Sequence, residues 1–334
     1  MMMNMSEQLT TLSAADQALV DGVLAGQLRP LAKTITLIES QREDHKQRAR
    51  AVLEALLPAS GKAIRVGISG VPGVGKSTFI EALGIYLIEH GHRVAVLAVD
   101  PSSSVTGGSI LGDKTRMELL SQRTEAFIRP SPSAGSLGGV AEKTRETMLV
   151  CEASGFDVMI IETVGVGQSE TAVSGMTDIF CLLQLPNAGD DLQAIKKGIM
   201  EMADLIVINK ADIDGIAAMR AQAQMKTALH MLRPTSPNWS PPVLTMSALQ
   251  KNGIDTFWQT VERYRDTMKA SGELDDKRRH QARAWMWELI DAGLRSRFRQ
   301  HADIQRELAA AEQAVEAGQS TPSAAALRLL GYMS

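Results

Sequence analysis

At 334 residues, 44% of them hydrophobic, the chain can bury a substantial core, and its length suits one large α/β domain with helical additions, or two domains. Its 35 lysines and arginines stand against 38 acidic residues, a formal net charge of −3, so no global field favours nucleic acid. No apolar run approaches bilayer length, the start MMMNMSEQLTTLS resembles neither a secretory nor a mitochondrial leader, and Cys151 and Cys181 each sit in or beside an apolar stretch. The expectation is a cytoplasmic protein of a reducing compartment, with no disulfide framework, membrane contact or nucleic-acid partner.

From about residue 9 to 57, apolar positions recur at helical spacing, among them Leu31, Ile35, Ile38, Val52, Leu53, Leu56 and Leu57, and the pattern ends near Pro58. From Ile64 onward, apolar β-type runs alternate with helical stretches: IRVGIS, RVAVLAVD, FDVMIIETVG, IFCLLQL, DLIVINKAD and PVLTMSAL. Such alternation predicts a mainly parallel sheet with helices on both faces. Beyond Ile254 the β-runs stop. TFWQTVERYRDTMKASG reads as a helix closed by Gly272, and a second helical stretch carries the stripe Trp287, Ile290, Leu294 and Phe298. The expected division is a helical extension over 1–58, a nucleotide-binding domain over 59–270 and a helical arm over 271–334. Lys277, Arg278, Arg279 and His280 read as the solvated face of a helix.

The first run leads into GVPGVGKST, which satisfies G-x-x-x-x-G-K-[ST] through Gly70, Gly75, Lys76 and Ser77, with Gly73 and Thr78 in the same stretch. Glycines admit the dihedrals by which backbone N–H groups wrap a β-phosphate, and the following helix aims its positive end at the same anion. Lys76 is positioned to bridge the β- and γ-phosphates, and the Ser77 hydroxyl to ligate Mg²⁺.

Three carboxylates are candidates for the metal site and the catalytic base. Asp100 ends the run LAVD, Asp113 lies in the glycine-rich GGSILGDKTRM, and Glu162 ends the run IIE. Carboxyl ends of parallel strands are where such sheets bind ligands. For Asp100, directly before Pro101, helix or turn capping is a serious alternative. Gly165 follows Glu162 at a spacing suited to an amide that senses the γ-phosphate. Val166 occupies the place where Ras-like enzymes carry their water-positioning glutamine, so slow intrinsic hydrolysis is expected.

Farther on, NKAD (Asn209, Lys210, Ala211, Asp212) follows the run DLIVI. A carboxylate there can accept hydrogen bonds from guanine N1–H and the exocyclic amine, donors that adenine lacks, so the nucleotide is expected to be GTP or GDP. Ser247, Ala248 and Leu249 fit the short loop that closes over the base.

The stretches VDPSSSVTGGSILGDKTRM, RPSPSAGSLGGV, ETVGVGQSE and PNAGDDLQAIKKG are more distinctive. Together with the motifs above they resemble the MeaB family, also called ArgK, over roughly Leu31 to Gly272. The resemblance implies a homodimeric P-loop GTPase of the signal-recognition-particle and MinD-like class, with its C-terminal arm in the dimer contact. It also implies a chaperone role toward an adenosylcobalamin-dependent acyl-CoA mutase, chiefly methylmalonyl-CoA mutase, and leaves open whether a cobalamin adenosyltransferase joins the complex. Lys76 and Ser77 match the family's phosphate-loop positions, Asp100, Asp113 and Glu162 its metal-site acids, and Asn209, Lys210 and Asp212 its base-recognition residues. Gln193 and Lys196 match a loop that relays the partner's presence to the nucleotide. Apart from the resemblance, GDDLQAIKKG reads as an exposed helix start with solvated lysines. Asn187 and Ala134 depart from the family pattern, which has glycine and serine there. Two other functions share such a core: a nickel-delivering GTPase, for which the six scattered histidines and absent C-x-x-C supply few ligands, and a small-molecule kinase, which needs an acceptor pocket and a lid.

Overall fold

The computed structural model describes residues 12–99, 117–130, 137–163, 169–186, 197–232 and 235–333. Three helices come first: α1 (Ala14–Leu24), α2 (Leu28–Glu39) and α3 (Glu43–Leu56). The periodic residues Leu31, Ile35, Ile38, Val52 and Leu56 are buried, whereas Leu57 lies in a 3₁₀ turn and is exposed. An ion pair between the half-exposed Arg48 and the buried Asp16 ties the first helix to the third. Arg48 donates to Asp16 Oδ1 through Nη2 at 2.8 Å, and the Ser13 hydroxyl donates to Asp16 Oδ2 at 2.7 Å while capping α1.

The Arg48 guanidinium hydrogen-bonded to Asp16 holds its carboxyl below the usual carboxylate range. A folded value below the unfolded one means that the stabilisation is fully present at neutral pH. It is lost as pH falls below about 4 and through the depressed value. Asp16→Asn is therefore expected to lower stability by about 1–3 kcal/mol at pH 7. In urea titrations at successive pH values, the gap between variant and parent should close toward pH 3.

The sheet has seven parallel strands in the order β3-β2-β4-β1-β5-β6-β7. They are β1 (Ile64–Gly70), β2 (Val94–Val99), β3 (Ala126–Arg129), β4 (Val158–Thr163), β5 (Ile179–Gln184), β6 (Leu205–Ile208) and β7 (Val243–Thr245). Six of these are the runs read from sequence. The edge strand β3 escapes that reading because it has four residues and only Ile128 is fully buried.

Connecting the strands are α4 (Lys76–Glu89), α5 (Glu118–Ser121), α6 (Leu137–Ala153), α7 (Ser169–Ser174), α8 (Lys197–Met202) and α9 (Gly215–His230). After β7 comes α10 (Ile254–Ala270), ended at Ser271 with Gly272 at φ 79°, as its sequence indicates. Met159 and Ile161 face one core with α1–α3 and α6, while Val158 and Ile160 face a second with α4 and α10, where Phe79 meets Phe257 edge-on at 4.9 Å.

One compact unit runs to Arg278 and another covers Arg279–Ser334. The helix α11 (Glu273–Gln300) is followed by α12 (Ala302–Glu316) and α13 (Pro322–Leu330). The last two form a small core of Ile304, Ala311, Ala325 and Leu329, with Phe298 and Leu308 packed on it.

The reading of the basic cluster needs correction at two of its four residues. Arg278 holds Asp178 in a two-pronged pair, Nε to Oδ1 at 2.8 Å and Nη2 to Oδ2 at 2.6 Å, and also donates to the carbonyls of Gly61 and Ala63. Lys277 donates to Asp178 O at 2.5 Å and to Asp204 Oδ2 at 3.2 Å. These carboxylates are buried beside the amino ends of β5 and β6, so the two cations close charge that the sheet would otherwise bury unpaired. Arg279 and His280 are exposed, as expected of a solvated face.

Candidate nucleotide site

The phosphate loop leaves the carboxyl end of β1, the middle strand of the sheet, and enters α4 through Gly75. Glycine is required at this entry. Gly75 has φ 93°, and a Cβ there would stand 2.8 Å from Asn209 Nδ2. Gly70 is confined as well, since its Cβ would approach Leu183 O to 2.6 Å. Lys76 folds over the loop and donates to Gly70 O at 2.6 Å. Ser77 is half-buried in the first turn of α4 and Thr78 is exposed beside it.

The residues expected to recognise the base meet the loop directly. Asn209, buried after β6, donates from Nδ2 to Val74 O at 2.9 Å and accepts from Ala248 N at Oδ1 at 3.0 Å. One side chain thus joins the phosphate loop to the loop after β7. Lys210 adopts a left-handed conformation, φ 62°, and Asp212 presents an exposed carboxylate. The Ser247–Asn252 loop closes on itself through Ser247 N to Asn252 O and Asn252 N to Ser247 O, with Gln250 N donating to Ser247 Oγ. Leu249 projects from it, 76% exposed.

Glu162 lies one strand from the loop, registered with Ile68 of β1 and with Ala98 of β2, and is buried. A serine hydroxyl and a carboxylate are oxygen donors of the kind that Mg²⁺ takes. Asp100, Asp113, Gly165, Gln193 and Lys196 lie outside the described residues. Two of the six histidines lie two positions apart, and each has a partner: His90 Nδ1 lies 2.7 Å from Tyr86 O, and His92 Nδ1 lies 2.7 Å from Asp157 Oδ2.

Sequence reasoning overlooked one pair. The Thr163 hydroxyl donates to Ser69 Oγ at 3.0 Å, both groups being buried where β4 and β1 end, next to Glu162 and Gly70 respectively. The bond ties the exits of these strands one residue beyond their last backbone rung. Two hydroxyls at the ends of otherwise apolar runs were the available signal.

A parallel α/β sheet with a glycine loop feeding a helix, and an Asn-Lys-x-Asp turn bonded to that loop, defines a P-loop GTPase fold. Residues 31–303 match the family model described as methylmalonyl Co-A mutase-associated GTPase MeaB. The chain belongs to this family of GTPases. It is 55% identical over 308 residues to a putative GTPase of Caulobacter vibrioides, covering 92% of this chain and 94% of that protein. It is 47% identical over 334 residues to the mouse methylmalonic aciduria type A homolog, mitochondrial, covering 96% of this chain and 80% of that one. Among solved structures, one described as an LAO/AO transport system kinase superposes with a TM-score of 0.76 at 37% identity, over 97% of this chain and 99% of that one. Among the described residues, no helix is long and apolar enough to cross a membrane.

Proposed function

We propose that the chain is a slow GTPase that acts as a chaperone of an adenosylcobalamin-dependent acyl-CoA mutase, chiefly methylmalonyl-CoA mutase, with nucleotide state gating the mutase's cofactor loading. The observation that carries this reading is the match of residues 31–303 to a family described by its association with that mutase. Similarity to the methylmalonic aciduria type A homolog supports it.

In this reading the loop from Gly70 to Ser77 holds the β-phosphate of GTP or GDP, and Lys76 stabilises charge on the β- and γ-phosphates. Ser77, with Asp100, Asp113 and Glu162, would hold Mg²⁺, which would supply charge neutralisation at the phosphates. Asp212 selects guanine, and Asn209 and Lys210 shape its pocket together with Ser247, Ala248 and Leu249. Gly165 senses the γ-phosphate. Gln193 and Lys196 relay the client's arrival, with a lysine on the phosphates lowering the barrier electrostatically. The face formed by Trp287, Ile290 and Leu294, each well exposed on the single chain, supports burial of the arm against a second copy. A cytoplasmic setting fits this reading. The transport-kinase description of the solved relative supplies the competing function, phosphate transfer to a small acceptor.

The deciding experiment is GTP turnover by the purified protein, alone and with methylmalonyl-CoA mutase from the same source. Slow basal hydrolysis raised severalfold by the mutase is the expected result. Guanine-selective binding without stimulation would remove this mutase as client, and a phosphorylated acceptor would replace the chaperone reading with the kinase one.

A further inference from the structure

The hydroxyls of Ser69 and Thr163 stand where backbone pairing gives out. On the β5 side of β1 the rungs continue into the phosphate loop, Ser69 with Leu182 and Gly70 with Leu183, whereas on the β4 side they stop at Ile68 with Glu162. Meanwhile β4 runs one residue farther beside β2, with Thr163 level with Val99. The Thr163 hydroxyl crosses the gap to Ser69 Oγ.

Both hydroxyls belong to the face turned away from α4. Side chains alternate along a strand, so Thr163 follows Ile161 toward the core of α1–α3 and α6. Ser69 shares the side of Gly67, where an added Cβ would meet Val173 and Phe180 of that same core. The phosphate loop turns to the other face, where Val74 joins Ile68 and Phe79 in the second core. The bond therefore holds the root of the loop from behind.

Stability alone gives these groups little reason to be here. Thr163 and Ser69 are 0% and 1% exposed, and valine and alanine would fill the same space with nothing polar to desolvate. Exchanging both partners of a buried hydrogen bond for apolar groups is close to neutral for folding. Direction is what an apolar pair cannot supply, because a hydrogen bond weakens steeply as its geometry departs from the favoured one. Gly70, the next residue, is where such a constraint counts. Its carbonyl accepts from Lys76 Nζ, and a side chain there would strike Leu183 O.

We propose that Thr163 and Ser69 are positioning residues for the phosphate loop, fixing the exit of β1 against β4 so that Gly70 presents the loop to the β-phosphate in one place. Neither hydroxyl touches the nucleotide in this account. The proposal rests on the reading of Gly70 to Ser77 as the loop that holds the β-phosphate.

The test compares GDP with GMP, which lacks the β-phosphate, by competition binding to the full-length protein, beside a thermal melt of each variant. The ratio of the two affinities measures what the loop contributes. Thr163→Val and Ser69→Ala should each lower that ratio about fivefold, the worth of one neutral hydrogen bond. Thr163→Ser keeps the donor and should stay near the parent. Thr163→Val combined with Ser69→Ala should lower the ratio no further than either change alone, since both remove the same bond. Its melting temperature should nevertheless return toward the parent's, a divergence that a merely structural pair would not show. If a single variant does not fold, the double variant decides. A parental ratio in the folded variants, whatever their melting temperatures, would overturn the proposal. Lys76→Ala separates the two levels. A lowered ratio there, with none in the hydroxyl variants, would remove the tether and leave the phosphate-loop reading standing. An unchanged ratio in Lys76→Ala would overturn that reading and the tether with it.

Discussion

Replacing Lys76 by alanine should lower GTP turnover by about a hundredfold or more and weaken GDP binding, while the protein stays folded. The ammonium lies on the phosphate loop, with Gly70 O at 2.6 Å, and its stem is half-buried rather than packed in either core. On the proposed reading, a charge-assisted interaction with the phosphates replaces that carbonyl contact in the bound state, and alanine offers nothing comparable. The fold has little stake in the side chain because Gly75 starts α4 and Asn209 braces Val74 through bonds that the substitution leaves alone. Calorimetric titration with GDP, beside circular dichroism, checks both halves of the claim. Unfolding of the variant at ambient temperature would count against the assignment.

Replacing Arg278 by alanine should have the opposite profile, a large loss of stability by a residue far along the chain from the phosphate loop. Its guanidinium satisfies both oxygens of Asp178 and two carbonyls, at Gly61 and Ala63. Asp178 is buried; its carboxylate also accepts from Arg65 N at 2.9 Å, and its carbonyl accepts from Lys277 Nζ at 2.5 Å. Removing one partner of such a pair leaves poorly compensated charge in a low-dielectric site, at a cost of about 3–5 kcal/mol, or a fall in unfolding midpoint of about 5–8 °C. Arg278→Lys should fall between, keeping the charge without the planar fork. Removing Asp178 together with Arg278 should recover part of the loss, since the orphaned carboxylate causes much of it. A midpoint for Arg278→Ala within 2 °C of the parent, a margin of about 1 kcal/mol, would refute the role given to the pair.

Arg278 also shows where sequence reading reached its limit. Lys277-Arg278-Arg279-His280 has the local texture of a solvated helix face, and nothing within ten residues announces a buried acid. Asp178 precedes Arg278 by about a hundred positions, so the pairing exists only once the sheet has formed. The strands were legible because burial on both faces of a parallel sheet demands continuous apolar runs, and β3 was not because an edge strand escapes that demand. Within the site, the glycines, Lys76, Ser77, Asn209 and Asp212 stood out because phosphate and guanine dictate residue type at fixed spacing. The Thr163–Ser69 bond carries no spacing rule, since its partners come from different strands.

The two hydrogen bonds of Asn209 have a consequence for ligand choice. On the proposed reading, because one amide spans Val74 and Ala248, the sockets for the two ends of a nucleotide are set at a fixed separation before either end arrives. The ribose and α-phosphate between them then serve as a gauge. An analogue lengthened in that middle portion, with its guanine and terminal phosphates intact, must leave one socket or deform the bridge. Separate guanosine and pyrophosphate, though each fits its own socket, forgo the advantage of arriving as one molecule.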